Sequence, residues 1–214
     1  MSFAVKEIFL TLQGEGLNAG RRAVFLRFAG CNLWTGREED RATAQCTFCD
    51  TDFVGMNGDN GGRYQDSAAL VAKVIEVWGQ DITEPADRAF IVMTGGEPML
   101  QVTEELVEAL HQAGFEVAIE TNGTLPVPRS IDWITVSPKA GTEVVQRSGD
   151  ELKLVWPQPG VDPEEMEEWD FPYRLVQPMD GPSANDCRIT AIQFVMGHPR
   201  WRLSVQTHKL IGLR

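Results

Sequence analysis

The chain has 214 residues, 43% of them hydrophobic, which suits one domain with a sizeable core. Lys and Arg total 19 against 31 Asp and Glu; the net charge of −12 disfavours a surface that tracks nucleic-acid phosphates. The start has no basic-then-apolar leader and no apolar run reaches membrane-spanning length, so a cytoplasmic protein with reduced thiols and no membrane partner is expected.

In chain order, "VKEIFLTLQGEG" reads as a strand that breaks at Gly14 and Gly16. "AVFLRFAG" is a second strand that delivers Cys31 at its C-terminal end. Residues 35–45 are polar and leave the core, and 56–62 form a further loop. Ser67 is placed to cap a helix whose apolar residues at 70, 71, 74, 75 and 78 share one face, with Gly79 as its stop. "AFIVM" is a buried strand ending in "TGGEP", and a helix over 103–113 follows. "EVAIE" ends in "TNG", "DWITV" in "SPK" and "YRLVQ" in "P". "ELKLVW" is a strand, 163–169 an acidic helical piece, 186–197 a helix and "RLSVQTH" a last strand.

This alternation predicts a mostly parallel sheet with crossover helices, with the polar signatures "C", "TGGEP", "TNG", "SPK", "QP" and "THK" gathered at the C-terminal strand ends on one active face. A full eight-strand barrel takes about 250 residues, so a partial α/β barrel fits better.

Three cysteines stand as C-x14-C-x2-C at Cys31, Cys46 and Cys49. They could be scattered core residues. They could bind zinc, but a structural zinc site takes four ligands and His111, His198 and His208 are far away in sequence. A [4Fe–4S] cluster held by three thiolates would leave one iron open to a cofactor. Cys187, in "SANDCRIT", has no cysteine nearby and reads as a residue without a ligand role. In "TGGEP" the glycines suit a turn or close approach of a ligand to the backbone, with Glu97 able to accept from an ammonium group.

Cysteines after an early strand, Phe48 before the last of them and "GGEP" after the next long strand resemble the radical S-adenosylmethionine (SAM) superfamily. Most members space the cysteines C-x3-C-x2-C, so the longer spacing is a departure. "FLTLQGEG", "FLRFAGCNLW", "CTFCDTDF", "TGGEP", "ETNG", "VSPK", "LVQP" and "QTHKLIGL" together resemble the 7-carboxy-7-deazaguanine synthase family over nearly the whole chain. That resemblance implies a single radical SAM domain over 1–214 with a cluster-loop insertion around 32–45. It implies an incomplete parallel (β/α) barrel of about six strands, assembled as a homodimer and served by a flavodoxin-type reductant.

The reaction implied is a carbon–nitrogen lyase step in 7-deazapurine (queuosine) biosynthesis. It turns 6-carboxy-5,6,7,8-tetrahydropterin into 7-carboxy-7-deazaguanine and ammonia by radical ring contraction, through a 5′-deoxyadenosyl radical made from SAM. Cys31, Cys46 and Cys49 would ligate the [4Fe–4S] cluster. Phe48 would pack near the adenine of SAM, Gly96 and Glu97 would meet its methionine part, and Ser137, Pro138 and Lys139 its ribose and carboxylate. Gln177, Pro178, Met179 and Asp180 would lie by the adenine. Leu12, Gln13 and Gly14 would take the pterin edge, with Glu15 as acceptor for its guanidine-like nitrogens. Arg27 matches the substrate carboxylate with its fork, Thr94 adds a hydroxyl, and Arg214 brings the terminal carboxylate. Thr51 matches a Mg²⁺ position whose remaining ligands come from substrate and water. The rival readings are a radical SAM enzyme that activates a glycyl-radical protein and a non-catalytic zinc-binding module.

Overall fold

The structure is a computed structural model and describes residues 1–79 and 89–213. Among these residues, nine strands join in one sheet: β1 (Phe3–Leu12), β2 (Arg22–Phe28), β3 (Gly62–Tyr64), β4 (Ala89–Gly95), β5 (Phe115–Thr121), β6 (Trp133–Val136), β7 (Glu151–Trp156), β8 (Tyr173–Pro178) and β9 (Arg202–Leu203). Their order is β3-β1-β2-β4-β5-β6-β7-β8-β9. Neighbours from β2 to β9 are parallel, and β1 is antiparallel to β2 and β3. The six-strand parallel unit expected from the sequence is β2 with β4–β8. The sheet stays open, with β3 and β9 at its edges.

The outer face is covered by α1 (Ser67–Trp78), α2 (Glu104–Gln112), α3 (Pro163–Met166) and α4 (Ala184–Gly197). Leu70, Val74, Leu106 and Leu110 of α1 and α2 pack on Phe3, Val5, Leu26, Ile91 and Val117. A second core gathers Leu152, Leu154 and Val176 beneath Ala191 of α4 and Trp201. On the inner face Ala23, Phe90, Val92 and Ala118, with Phe25 and Trp133 against them, form an apolar plug. The two faces follow from alternation: 24 and 26 face the helices while 23 and 25 face inward.

β1 departs from strict alternation. Phe3, Val5 and Ile8 all enter the helix-side core, although the step from 5 to 8 is odd. A register shift between Val5 and Glu7 absorbs the additional residue, as a β-bulge does. Beyond it Glu7, Phe9, Thr11 and Gln13 point inward together. The bulged Lys6 turns its ammonium to Asp52 Oδ2 (2.7 Å), Val54 O (2.8 Å) and Asn57 Oδ1 (2.9 Å), anchoring the loop after Cys49.

Several expectations need correction. The cap of α1 is Asp66, whose carboxylate accepts from Ala69 N at 2.8 Å; Ser67 is the first helical residue and is buried. The acidic helix stops at Met166 rather than Trp169, because the cap Asp162 with Pro163 starts it but only one turn is fixed. The crossovers from β5 to β6 and from β6 to β7 carry no helix. "RLSVQTH" pairs only through Arg202–Leu203; Ser204 then bonds inward and the chain turns into α5 (Thr207–Ile211). β3 starts at Gly62, the last residue of the expected loop, and is a short antiparallel addition to β1 that the sequence reading did not include.

The cap assignment is testable. Asp66→Ala should cost about 1 kcal/mol, the usual weight of an N-cap. Ser67→Ala loses only a 3.3 Å bond to Glu105 and should cost less. Urea unfolding of both variants checks the order, and equal losses would contradict it.

Candidate functional site

The C-terminal strand ends and the loops leaving them enclose a cavity of about 510 Å³, inside the range of about 300–1,000 Å³ common for small-ligand sites. Cys31, Cys46 and Cys49 all line it. So do Leu12, Gln13, Gly14, Glu15, Arg27, Phe48, Thr51, Thr94 and Gly96. Ser137, Lys139, Gln177, Pro178, Met179 and Asp180 complete the residues singled out by sequence that the fold gathers there. Pro138 is buried beside the cavity without lining it, and Cys187 is buried in α4, away from it. Arg214 lies outside the described residues.

Glu97 is fully buried and does not line the cavity. Its carboxylate accepts from Thr121 Oγ1 (2.7 Å), Asn122 N (2.8 Å) and Met99 N (2.9 Å), while its own amide donates to Gly30 O (3.0 Å). Burial pushes its carboxyl up, opposed by those donors. The sequence suggested an acceptor for an ammonium; the geometry makes Glu97 the knot that ties the ends of β2, β4 and β5. The glycines before it serve the same closeness. A Cβ on Gly95 would stand 2.4 Å from Phe28 O, and one on Gly96 2.2 Å from Gly30 O and 2.6 Å from Cys31 Cβ. Their bareness lets the β4 turn lie against the backbone that carries Cys31.

The thiols meet an environment that disfavours bare thiolates. Burial raises both Cys31 and Cys46; Lys139 counters this at Cys46, while the other thiols add to it. Lys139 is itself lowered by burial, opposed by the thiolates of Cys46 and Cys49, and its ammonium donates to Ser137 O (2.6 Å) and Oγ (2.8 Å). Among the described residues no three His, Cys, Asp or Glu donors close on a single ion. The donor set is three thiols spread along one wall beside a lysine. It fits a larger cationic body that takes three thiolates and relieves their burial.

The floor is charged. Lys153 of β7 donates to Glu15 Oε2 and Glu120 Oε2, both at 2.8 Å, and Gln13 Nε2 reaches Glu120 Oε1 at 3.3 Å. Burial works against the Glu15 carboxylate, but the Lys153 charge and bonds from Lys153 and Gln206 pull it down to about 2. Burial also works against charge on Lys153, yet Glu120, Glu15 and Glu151 together raise it. Glu120 is raised by burial. Glu151, behind this group, accepts from Leu17 N at 2.9 Å, while its buried Oε1 has no partner. Burial and the neighbouring Glu120 charge push it up to about 7.

Arg27 points inward from β2, and its Nε donates to Glu7 Oε1 at 2.8 Å. Its terminal nitrogens have no hydrogen-bond partner among the described residues.

The rim is supplied by the C-terminal segment. Thr207 N and Oγ1 both bond to Gly14 O (2.8 and 2.7 Å), and Gln206 Nε2 donates to Glu15 Oε1 (2.9 Å) and Asp50 Oδ2 (3.3 Å). Lys209 bridges Asp50 Oδ2 (2.8 Å) and Asp180 Oδ2 (2.6 Å). A Cβ on Gly14 would stand 2.0 Å from His208 Nδ1, so the imidazole rests on that loop.

Glu120, Lys153 and Gln206 line the cavity although the sequence did not single them out, and His208 and Lys209 of the "THK" signature line it as well. The alternation of "ELKLVW" was the available signal for Lys153, since a lysine between two buried leucines must face the opposite side of the strand.

Residues 40–150 match the Radical SAM superfamily. The chain is 59% identical to the 7-carboxy-7-deazaguanine synthase of Burkholderia multivorans, over 100% of both chains. It is 57% identical to that of Bordetella pertussis, again over 100% of both. The crystal structure of QueE from Escherichia coli is similar with a TM-score of 0.69 at 26% identity, covering 97% of this chain and 95% of that one.

Glu151 sets a pH dependence. Between its ordinary value of 4.5 and about 7 the folded protein keeps a proton that the unfolded chain has released. This stabilisation is full below that window and lost as pH rises through it, amounting to about 3 kcal/mol. Metal-free protein should therefore be harder to unfold with urea at pH 5.5 than at pH 8. Glu151→Gln should shrink the difference, and an unchanged difference would rule Glu151 out.

Proposed function

The chain belongs to the 7-carboxy-7-deazaguanine synthase family of the radical SAM superfamily, and from this we infer that its cavity converts 6-carboxy-5,6,7,8-tetrahydropterin to 7-carboxy-7-deazaguanine and ammonia. The observation that carries the reading is the convergence of three thiols, the "GGE" turn and a charged floor on one cavity, in a chain alignable end to end with synthases of that name. We take residues 1–214 as one radical SAM unit, with 32–45 inserted in its cluster loop.

Cys31, Cys46 and Cys49 would hold the [4Fe–4S] cluster, which when bound supplies the electron that cleaves SAM into methionine and a hydrogen-abstracting radical. The protein then has to place two ligands and exclude water. Phe48 packs by the adenine with Gln177, Pro178, Met179 and Asp180. Gly96 offers its backbone to the methionine part, and Glu97 serves that contact by holding the turn. Ser137 and Lys139 would face the ribose and carboxylate, with Pro138 packed behind them; Lys139 brings the positive charge.

On the pterin side, Leu12, Gln13 and Gly14 meet the ring edge and Thr94 adds a hydroxyl. Glu15, held ionised by Lys153, is an acceptor for the guanidine-like nitrogens. Arg27 is pre-oriented by Glu7 and keeps its terminal nitrogens for the substrate carboxylate. The Arg214 carboxylate remains a proposed further contact. Thr51 is proposed as the protein ligand of Mg²⁺: its neighbours Asp50 and Asp52 are already paired with Lys209 and Lys6, which leaves the hydroxyl between them. The substrate carboxylate and water would complete the six oxygens that Mg²⁺ prefers.

We further propose a homodimer, a flavodoxin-type reductant and a cytosolic setting for this chemistry. No described helix is long and apolar enough to cross a membrane.

Anaerobic purification tests the reading directly. A brown protein with iron and sulfide that turns 6-carboxytetrahydropterin into 7-carboxy-7-deazaguanine is expected. A colourless zinc protein, or SAM cleavage without pterin turnover, would overturn it. Replacing Cys31, Cys46 or Cys49 by Ala should abolish cluster and SAM cleavage, whereas Cys187→Ala should keep both. For Mg²⁺, Thr51→Val should blunt the rise of turnover on titration while leaving the cluster and SAM binding intact; superimposable activation curves would remove Thr51 from the metal.

A further inference from the structure

The 14-residue spacer between Cys31 and Cys46 has a folded core of its own. A 3₁₀ turn, Glu38–Thr43, carries Arg41 back over the start of the spacer. The Arg41 guanidinium lies on the ring of Trp34, 4.1 Å from its centroid, and Glu38 holds its Nε at 2.8 Å. From there Nη1 donates to two carbonyls of the cysteine segment, Thr47 O at 2.9 Å and Cys49 O at 3.1 Å. Trp34 is itself fixed. It is buried, its Nε1 donates to Arg37 O (3.1 Å), and it meets Phe53 edge-on at 5.6 Å. Leu33 O receives the amides of Gln45 and Cys46 (3.1 and 3.4 Å).

Each end of this assembly touches the chain next to a thiol. Trp34 and Leu33 follow Cys31, Phe53 follows the Cys49 loop, and Arg41 holds carbonyls on both sides of Phe48. Among the described residues the carbonyls of Thr47 and Cys49 accept hydrogen bonds from Arg41 alone, so no other donor fixes their direction. A guanidinium can serve two carbonyls while stacked on an indole; a neutral side chain of the same length cannot.

We propose that the spacer is a brace for the C-x2-C segment and that Arg41 is the positioning residue that sets where Cys46 and Cys49 stand. The role as brace for cluster ligands rests on the function inferred above; the brace itself does not. Arg41 does not line the cavity and acts through the backbone it holds.

The test compares wild type, Arg41→Ala and Arg41→Lys as full-length chains. In metal-free protein at fixed pH, iodoacetamide labelling of Cys46, read by mass spectrometry, should be about tenfold faster in Arg41→Ala, the weight of one charge-assisted bond at partial exposure. Arg41→Lys, which keeps the charge and one donor, should fall between. Cys187, buried in α4, is the internal control and should label at the wild-type rate in all three. Cys46 labelling at the wild-type rate, or Cys46 and Cys187 accelerating together, would overturn the brace. After anaerobic reconstitution Arg41→Ala should hold severalfold less iron per chain than wild type, and equal iron would overturn the positioning role. A wild type that takes up no iron would instead sink the functional reading, while the labelling rates would still decide the brace.

Discussion

One fully buried carboxylate holds the strand ends on which the rest of the site is built. Glu97 follows two glycines that admit no side chain, and it collects donors from its own turn and from the end of β5 while its amide bonds to the end of β2. An unpaired buried carboxylate would be costly, so these partners cannot be given up singly. The consequence is geometric: Cys31, the Gly95–Gly96 backbone and Thr121–Asn122 are locked to one another before any ligand arrives.

Against that fixed corner the cavity balances two opposed electrostatic regions. The thiol wall is short of positive charge, with Lys139 as its lysine. The floor has more carboxylates than cations, with Glu15, Glu120 and Glu151 around Lys153. The asymmetry suits a reaction in which a cationic centre sits on one side and a donor-rich heterocycle on the other. It also explains why one floor carboxylate is held charged well below neutrality while another, two residues before Lys153 on the same strand, is pushed up to about 7.

Much of this was legible in the sequence because strand-terminal residues announce themselves. Cysteines, "GGE", "TNG", "SPK" and "QP" interrupt apolar runs, and the parallel sheet brings such interruptions together. Lys153 and Glu120 were not legible in the same way, since they stand within strands and gain their meaning only from facing each other across the open sheet. Glu97 was visible as a residue of interest but its direction was not: glycines before an acid suggest an exposed turn, whereas here they allow two backbones to touch. The C-terminal rim was legible in part: "THK" was expected at a strand end beside the site, but the apparent strand leaves the sheet after two residues and His208 and Lys209 reach the rim from α5 instead.

The bulge in β1 makes this strand unequal along its length in how it tolerates loss of a residue. Lys6 is the surplus position, and deleting it would restore strict alternation with Val5 and Ile8 still in the core and Glu7, Phe9 and Thr11 still inward, at the cost of the side-chain anchor for 52–57 and the carbonyl that receives Gly58 N. Deleting any one residue from Ile8 to Leu12 would exchange the faces of every position beyond it and send Gln13 away from the floor. The loop at 32–45 lies outside the sheet and sets no strand's alternation. β1 lies within it, and chain length at this strand is therefore as much a determinant of the pocket as side-chain identity.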